Sequence, residues 1–143
     1  LQVGHFSLKG QGVELVARKG WVVFRTGGRT FVTTHLSSLS NGGNARFAQL
    51  AQIQAATEQY QPATYLGDFN IYDIAHLQAA FPNLQEFAMG TVPGVPVTYP
   101  RLEARLDYIF TAGSSGTPAL VGGEVVDTED LTDHLAVAVT LAA

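Results

Sequence analysis

The chain has 143 residues, 46% of them apolar and 10% aromatic, which is enough to build the buried core of one domain. Its formal net charge of −4, with Lys9 and Lys19 as its lysines, leaves no basic stripe that could follow a nucleic-acid backbone, so long duplex DNA is not the favoured ligand. The sequence contains no cysteine, which excludes disulfides and thiolate metal sites and leaves oxygen and imidazole as metal ligands. No apolar run approaches the ~20 residues that cross a bilayer, so we expect no transmembrane segment.

The first half of the chain has the pattern of a β-meander followed by a helix. Segments rich in Val, Phe, Trp and Thr are predicted strands, at residues 12–18, 21–26 and 29–36. Gly27 and Gly28 lie between the last two and are a strong signal for a hairpin turn. Apolar residues then recur every three or four positions from Asn44 to Tyr60, which predicts a helix with Asn44 as its N-cap and Pro62 just beyond its end.

The second half alternates short strands with loops. A short buried strand is predicted at residues 63–67, and it places Asp68 and Asn70 at its carboxyl end. A short helix is predicted at 74–80, with Asp73 as its N-cap. Three further strands are predicted at 106–111, 120–126 and 135–141. Because there is no internal repeat, low-complexity run or linker, we predict one unit over residues 1–143.

Polar residues interrupt the apolar pattern at the points where strands meet loops. They are His35, Asp68, Asn70, Asp107 and the pair Asp133 and His134. Any one of them alone is more often a cap, a turn or a satisfied core group. Several together predict a site, because sites are commonly built from loop residues held by a rigid sheet. Carboxylates suit hard cations such as Mg²⁺ or Mn²⁺, and two histidines can supply an acid and a base near neutral pH.

These residues fall within motifs that resemble the endonuclease/exonuclease/phosphatase superfamily. In chain order the motifs are Thr34 to Leu36, Arg46 with Gln49, Gly67 to Asn70, Thr98 before Arg105 to Phe110, and Asp133 to Val137. Their order and spacing are similar to those of the family, whose members break phosphoester bonds with a divalent cation. The resemblance implies an α/β (α+β) fold, part of a four-layer sandwich with mainly antiparallel sheets, in which this chain supplies one sheet and its helix layer.

The resemblance also implies roles for the catalytic residues. Asp68 would orient or deprotonate the attacking water, and Asn70 would hold a phosphate oxygen or the nucleophile. His134, oriented by Asp107, would contact the phosphate as a base or electrostatic partner. His35 would act on the leaving-group side as an acid or phosphate donor. The assignment of general acid and general base between the histidines stays open at this stage.

The implied metal site is incomplete. Asp133 would ligate Mg²⁺ or Mn²⁺, and Arg46 is a possible phosphate contact, although a solvated arginine in the first helical turn fits equally well. No Gln-Glu pair occurs where the family has one, and the Glu of that pair is a principal metal ligand. The chain therefore resembles the C-terminal half of the family domain. Its exposed sheet would be covered by an N-terminal fragment of the same precursor or by another chain.

Two functions follow from these features. The first is divalent-metal-dependent hydrolysis of a phosphoester, by a phosphodiesterase or phosphatase that requires the N-terminal half. The alternative is a catalytically inactive interaction module or fragment on the same scaffold. The scarcity of positively charged residues leaves small phosphoesters, lipid head groups or short nucleic acids as substrates. The apolar loop at 81–100 fits either a hydrophobic rim or a loop packed on its own core. Few lysines and no cysteine are compatible with secretion.

Overall fold

The computed structural model describes residues 1–7, 19–38, 44–86, 97–113, 120–129 and 131–142. The strands in these ranges are β1 (Gln2–His5), β2 (Gly20–Thr26), β3 (Arg29–His35), β4 (Ala63–Asp68), β5 (Gln85–Glu86), β6 (Asp107–Ala112), β7 (Leu120–Val126) and β8 (Ala136–Leu141). The helices are α1 (Ala45–Thr57) and α2 (Ile74–Ala80), with single 3₁₀ turns at Glu58–Tyr60 and Pro100–Leu102.

The strands form two sheets. Six of them pair in the order β1-β2-β3-β4-β6-β5, and β7 pairs with β8 in a separate two-stranded sheet. The pair β3 and β4 is parallel and the other pairs are antiparallel. Helix α1 supplies the long crossover that a parallel pair requires. The predicted class, a mixed α/β fold with mainly antiparallel sheets, is therefore confirmed, and the second small sheet adds to the one sheet that was expected.

The hairpin of β2 and β3 matches its prediction. Gly27 and Gly28 have φ angles of 56° and 75°, as a type I′ turn requires at both central positions. The register runs from Trp21 opposite Thr34 to Thr26 opposite Arg29. The predicted strand at 12–18 lies outside the described residues, whereas β1 was not predicted at all.

The helices differ from their predictions in one cap. Helix α1 and the 3₁₀ turn after it together cover the predicted helix up to Tyr60. Asn44 stands at the predicted N-cap position of α1, but its side chain makes no capping hydrogen bond, and its φ and ψ of −92° and 1° differ from the extended conformation usual for a side-chain cap. Asp73 does cap α2, since its carboxylate accepts a hydrogen bond from Ala75 N at 2.9 Å. No helix within the described ranges is long and apolar enough to span a membrane.

The core lies between the helices and one face of the six-stranded sheet. Its buried side chains include Val32, Leu50, Ile53, Tyr65, Phe69, Leu77, Phe81, Tyr108 and Phe110. The Tyr65 ring stacks on Phe110 at 5.1 Å and packs against Phe81 at 4.7 Å. Such aromatic pairs each add about 0.5–1.5 kcal/mol to the stability that burial provides. This packing fixes β4, the strand that ends at Asp68.

The opposite face of the same sheet is apolar but only partly covered. Strand alternation places Val22, Phe24, Phe31, Leu66 and Ile109 on this face, and all of them are half-buried. The residues of β8 alternate between half-buried and exposed, and none of them is buried. Both surfaces therefore present apolar side chains that the described residues do not bury.

Candidate active site

Three candidate residues lie side by side at one end of the six-stranded sheet. The register pairs His35 with Asp68 across β3 and β4, and Asp68 with Asp107 across β4 and β6. Directly opposite residues project from the same face, so the three side chains form one row across the sheet. The parallel pairing of β3 and β4 brings their carboxyl ends together, and the antiparallel β6 begins at the same edge. Sheet pairing thus unites residues that are far apart in the sequence.

The turn after β4 explains the Gly-Asp-Phe-Asn motif. Gly67 has a φ of 140°, and a Cβ built there would lie 2.0 Å from the Thr34 carbonyl oxygen, so this position requires glycine. Asn70 has a left-handed φ of 50°, which asparagine tolerates better than most residues. Its backbone N donates to Asp68 Oδ1 at 2.8 Å, and its Nδ2 donates to the Leu36 carbonyl at 3.1 Å. These bonds hold the Asp68 carboxylate at the tip of the strand.

His134 completes the cluster from the loop before β8. Its Nδ1 lies 2.7 Å from Asp107 Oδ2, which is a hydrogen bond. Its Nε2 lies 3.9 Å from Asp68 Oδ2, and His35 Nε2 lies 3.4 Å from the same oxygen. Asp68 is therefore flanked by two imidazoles. The 3.9 Å separation is too long for a direct hydrogen bond, but it leaves His134 Nε2 and Asp68 Oδ2 facing a shared space.

The environment changes the proton affinity of both central groups. Burial raises the pKa of the Asp68 carboxyl above its ordinary value, and the hydrogen bond from Asn70 N opposes this only in part. Burial alone would lower the pKa of His134, but the hydrogen bond to Asp107 and the charges of Asp107, Asp68 and Asp133 together outweigh it and raise the pKa. Asp68 is thus a better proton acceptor than an exposed aspartate, and His134 keeps its proton to a higher pH.

A cavity of about 250 Å³ opens over the cluster. Its lining residues are His35, Ser38, Asp68, Asn70, Tyr99, Leu102, Leu106, Asp133 and His134. The Tyr99 ring packs against the His134 ring at 4.8 Å, and Leu102 beside it is 57% exposed. One wall is therefore polar and titratable, and the other is aromatic and aliphatic.

Asp68, Asp107 and His134 also have the donor atoms of a metal site. Each offers one ligand atom, and the three atoms lie within 4.8 Å of one another. The two carboxylates suit Mg²⁺ or Mn²⁺, whereas the imidazole nitrogen is a donor that transition metals prefer. Asp133, the predicted metal ligand, lies outside this group of three; its carboxylate is 46% exposed and 4.0 Å from Arg101 Nη1. It lines the same cavity, and its metal-binding role stays a prediction.

Arg46 is not brought to the cluster. Its guanidinium lies over the Phe47 ring, 4.7 Å from the centroid, and Arg46 is not among the residues that line the cavity. The predicted phosphate contact by Arg46 therefore stays a prediction. Arg105 stacks over Tyr108 at 4.4 Å in the same manner.

No role was predicted for Tyr99 and Leu102, which line the apolar wall of the cavity. Tyr99 pairs with Ala104 in an isolated bridge, and the 3₁₀ turn at Pro100–Leu102 lies between them. The only local signal is Tyr99 followed by Pro100, which indicates a turn and nothing about a site. Their place beside His134 depends on tertiary packing.

No protein-family model and no curated protein matches the sequence, but solved structures do. The crystal structure of D. rerio TDP2 complexed with a single-strand DNA product aligns with a TM-score of 0.70 and 16% identity over 99% of this chain and 69% of that chain. Sphingomyelinase C from Streptomyces griseocarneus aligns with a TM-score of 0.60 and 21% identity over 94% and 61% of the two chains. An endonuclease/exonuclease/phosphatase from Bacteroides vulgatus aligns with a TM-score of 0.61 and 22% identity over 89% and 56%.

These similarities define the fold. The neighbours have the endonuclease/exonuclease/phosphatase fold, so the resemblance that the motifs indicated is confirmed at the level of fold. The chain spans between 56% and 69% of the lengths of these three proteins. Activity, substrate and partner are therefore matters for proposal.

Proposed function

We propose that this chain carries the catalytic residues of a divalent-metal-dependent phosphoester hydrolase, a phosphodiesterase or phosphatase in which water attacks phosphorus. The observation that carries the proposal is the Asp68 carboxylate, which lies 3.4 Å from His35 and 3.9 Å from His134. Two structural neighbours support this class, because one is complexed with a DNA product and another is a sphingomyelinase, and both DNA and sphingomyelin contain phosphodiesters.

Asp68 is suited to orient the attacking water and accept its proton. Its Oδ1 is held by Asn70 N, so Oδ2 is the oxygen that faces both histidines. The 3.9 Å between Asp68 Oδ2 and His134 Nε2 allows one oxygen atom to hydrogen-bond both groups. The raised pKa of Asp68 strengthens its affinity for the proton that the water loses.

The histidines act on opposite sides of this water. The hydrogen bond to Asp107 fixes the His134 ring, and the charge of Asp107 stabilises the imidazolium. His134 Nε2 would then donate to a nonbridging phosphate oxygen as that oxygen gains charge. His35, 60% exposed on the other side of Asp68, would protonate the leaving-group oxygen.

The donor atoms of the cluster fit a divalent cation. The Asp68 and Asp107 carboxylates, with Asp133 from the same cavity, would hold Mg²⁺ or Mn²⁺, whereas His134 in its protonated form donates hydrogen bonds and is not a ligand. The bound cation would neutralise charge on the phosphoryl oxygens, an effect worth several kcal/mol. Mg²⁺ commonly binds through one or two protein carboxylates plus the substrate phosphate, which this donor set can provide.

We also propose that the working enzyme contains a second segment, and that residues 1–143 correspond to the C-terminal half of the family domain. The face with Phe24 and Phe31 is half-buried, and no residue of β8 is buried by the described parts of the chain. Soluble monomers rarely leave large apolar patches exposed, which supports a covering segment. An N-terminal fragment of the same precursor, or another chain, would cover this surface. That segment would also contribute the Glu ligand that the family resemblance implies.

The test begins with the protein as it is isolated. Native and then denaturing mass spectrometry would identify any second polypeptide. The same preparation would then be assayed on p-nitrophenyl phosphate and bis(p-nitrophenyl) phosphate, with Mg²⁺, with Mn²⁺ and after chelation of the metal. We expect hydrolysis only with the metal. Asp68→Asn and His134→Ala should each lower kcat by roughly 10²–10⁴-fold.

His76→Ala is the matched control, because His76 lies on α2 and does not line the cavity. It should leave kcat unchanged. Full activity of His134→Ala, or hydrolysis that persists after chelation, would contradict the proposal. A folded, complete assembly with no metal-dependent turnover would instead favour the alternative, an inactive interaction module on this scaffold.

A further inference from the structure

Thr98 connects the two segments that carry Asp107 and His134. Its side chain is fully buried. The Thr98 hydroxyl accepts hydrogen bonds from Leu106 N at 3.0 Å and from Asp107 N at 3.1 Å. Its carbonyl oxygen accepts a hydrogen bond from Leu135 N, the residue after His134, at 2.8 Å. Thr98 therefore binds the backbone on both sides of the His134 and Asp107 pair.

The two partners lie on segments that lead into different sheets. Asp107 begins β6 in the six-stranded sheet, whereas His134 precedes β8 in the two-stranded sheet. Their side chains meet at 2.7 Å although 27 positions separate them in the sequence. Within the described parts of the chain, Thr98 is the residue whose hydrogen bonds reach both backbone segments.

We propose that Thr98 is a positioning residue that sets the distance between the Asp107 carboxylate and the His134 imidazole. Its consequence for catalysis rests on the proposed function, whereas its effect on the His134 hydrogen bond does not. The side chain of Thr98 holds the Asp107 segment and its backbone holds the His134 segment. A change confined to the side chain therefore releases one segment and not the other.

Thr98→Val tests this arrangement because valine has nearly the same shape but no hydroxyl. The Leu106 and Asp107 amides would lose their acceptor in a buried place, so the start of β6 would move to find another one. The Leu135 bond to the Thr98 carbonyl would remain. Asp107 should therefore shift relative to His134, and their hydrogen bond should lengthen. Thr98→Ser keeps the hydroxyl and should preserve the pair.

The readout is the chemical shift of the His134 Nδ1 proton, measured by NMR on the full chain labelled with ¹⁵N-histidine. A hydrogen bond of 2.7 Å to a carboxylate gives this proton a downfield resonance. We expect the resonance to disappear or move upfield in Thr98→Val, as in Asp107→Asn, and to persist in Thr98→Ser. An unchanged resonance in folded Thr98→Val would overturn the proposal, and so would its loss in folded Thr98→Ser.

Thr57→Val controls for the loss of a buried threonine hydroxyl. Thr57 is also fully buried, and its hydroxyl bonds Ile53 O and the Tyr65 hydroxyl away from the cavity. It should leave the His134 resonance unchanged. If Thr98→Val does not fold, amide hydrogen exchange of the unsubstituted chain decides. We expect the Asp107 and Leu135 amide protons to exchange only when the whole chain unfolds. Rapid exchange of either proton would overturn the proposal.

In the active assembly, Thr98→Val should lower kcat by roughly 10–100-fold because a small displacement of a catalytic group has effects of this size. KM should change much less, and Thr98→Ser should recover most of kcat. An equal loss in Thr98→Val and Thr98→Ser would contradict the positioning role. Because the NMR experiment needs no turnover, an inactive assembly would refute the proposed function and leave the test of Thr98 intact.

Discussion

His35 Nε2 and Asp68 Oδ2 lie 3.4 Å apart across the one parallel strand pair of the sheet. The contact arises because β3 and β4 end at the same edge and their last residues are directly opposite. The backbone register therefore determines this pair, and the site depends on the turn that ends β4.

The first prediction concerns Gly67 in that turn. Gly67→Ala should destabilise the protein by about 2–4 kcal/mol, because alanine at a φ of 140° is strained and its Cβ would lie 2.0 Å from the Thr34 carbonyl oxygen. Gly122→Ala in β7 is the matched control, since a Cβ there meets nothing within 4 Å. Urea unfolding measures both free energies. Similar stabilities of the two variants would show that the turn after β4 is not constrained as described.

The second prediction concerns the pH dependence of stability in metal-free protein. The folded pKa of His134 is raised above its ordinary value of 6.5, so its contribution is fully present below pH 6.5 and is lost as the pH rises through the folded pKa. The free energy of unfolding should therefore fall across this window. Asp107→Asn removes the carboxylate that hydrogen-bonds His134 and raises its pKa. The free energy of unfolding should therefore fall less over the same pH range.

NMR titration of the His134 ring checks the same prediction directly. The folded pKa should lie above 6.5 in the unsubstituted protein and should decrease in Asp107→Asn. His76→Ala should leave the titration of His134 unchanged. A pKa of His134 at or below 6.5 would show that burial, not Asp107, dominates its environment.

The third prediction concerns metal binding. Asp68→Asn should weaken Mn²⁺ binding by about tenfold or more, because it replaces one of the two carboxylates in the group of three ligand atoms. Asp127→Asn is the control, since Asp127 lies outside that group and accepts a hydrogen bond from Glu129 N. Calorimetric titration with Mn²⁺ measures the affinities. Asp133→Asn, measured alongside, tests the predicted ligand that lies outside the cluster.

Much of this site could be predicted because its residues follow apolar strands. The runs before His35 and Asp68 are strongly β-type, so their ends could be placed within a residue, and the motif order indicated that the polar ends meet. The details of the Asp68 turn also follow from local chemistry. Gly67 and Asn70 are the residue types that tolerate the positive φ angles found there.

Other features could not be predicted because they depend on non-local contacts. Strand β1 has only four residues, and it forms because it pairs with β2. Position 4 is a glycine because the Trp21 side chain occupies the place where a Cβ would lie. The residue type of Asn44 indicated the N-cap position correctly, but it could not show that the side chain makes no capping hydrogen bond there. The cross-connections of Thr98 likewise become visible only when β6 and the loop before β8 are brought together.

The last prediction concerns the apolar wall of the cavity. Leu102 is 57% exposed beside Tyr99, so a phosphoester with an aromatic group next to the phosphate should bind better than one with a methyl group. Leu102→Ala removes part of this wall without touching the polar row of His35, Asp68 and Asp107. It should lower kcat/KM for phenyl p-nitrophenyl phosphate by about fivefold, the equivalent of ~1 kcal/mol of lost apolar contact.

Methyl p-nitrophenyl phosphate supplies the comparison, because its methyl group is too small to cover Leu102. Its kcat/KM should change by less than about twofold in Leu102→Ala, since only the contact with the larger group is lost. Leu131→Ala removes another exposed leucine that does not line the cavity, and it should affect neither diester. If Leu102→Ala slowed both diesters equally, Leu102 would act on the shared phosphate chemistry and not on the choice of substrate.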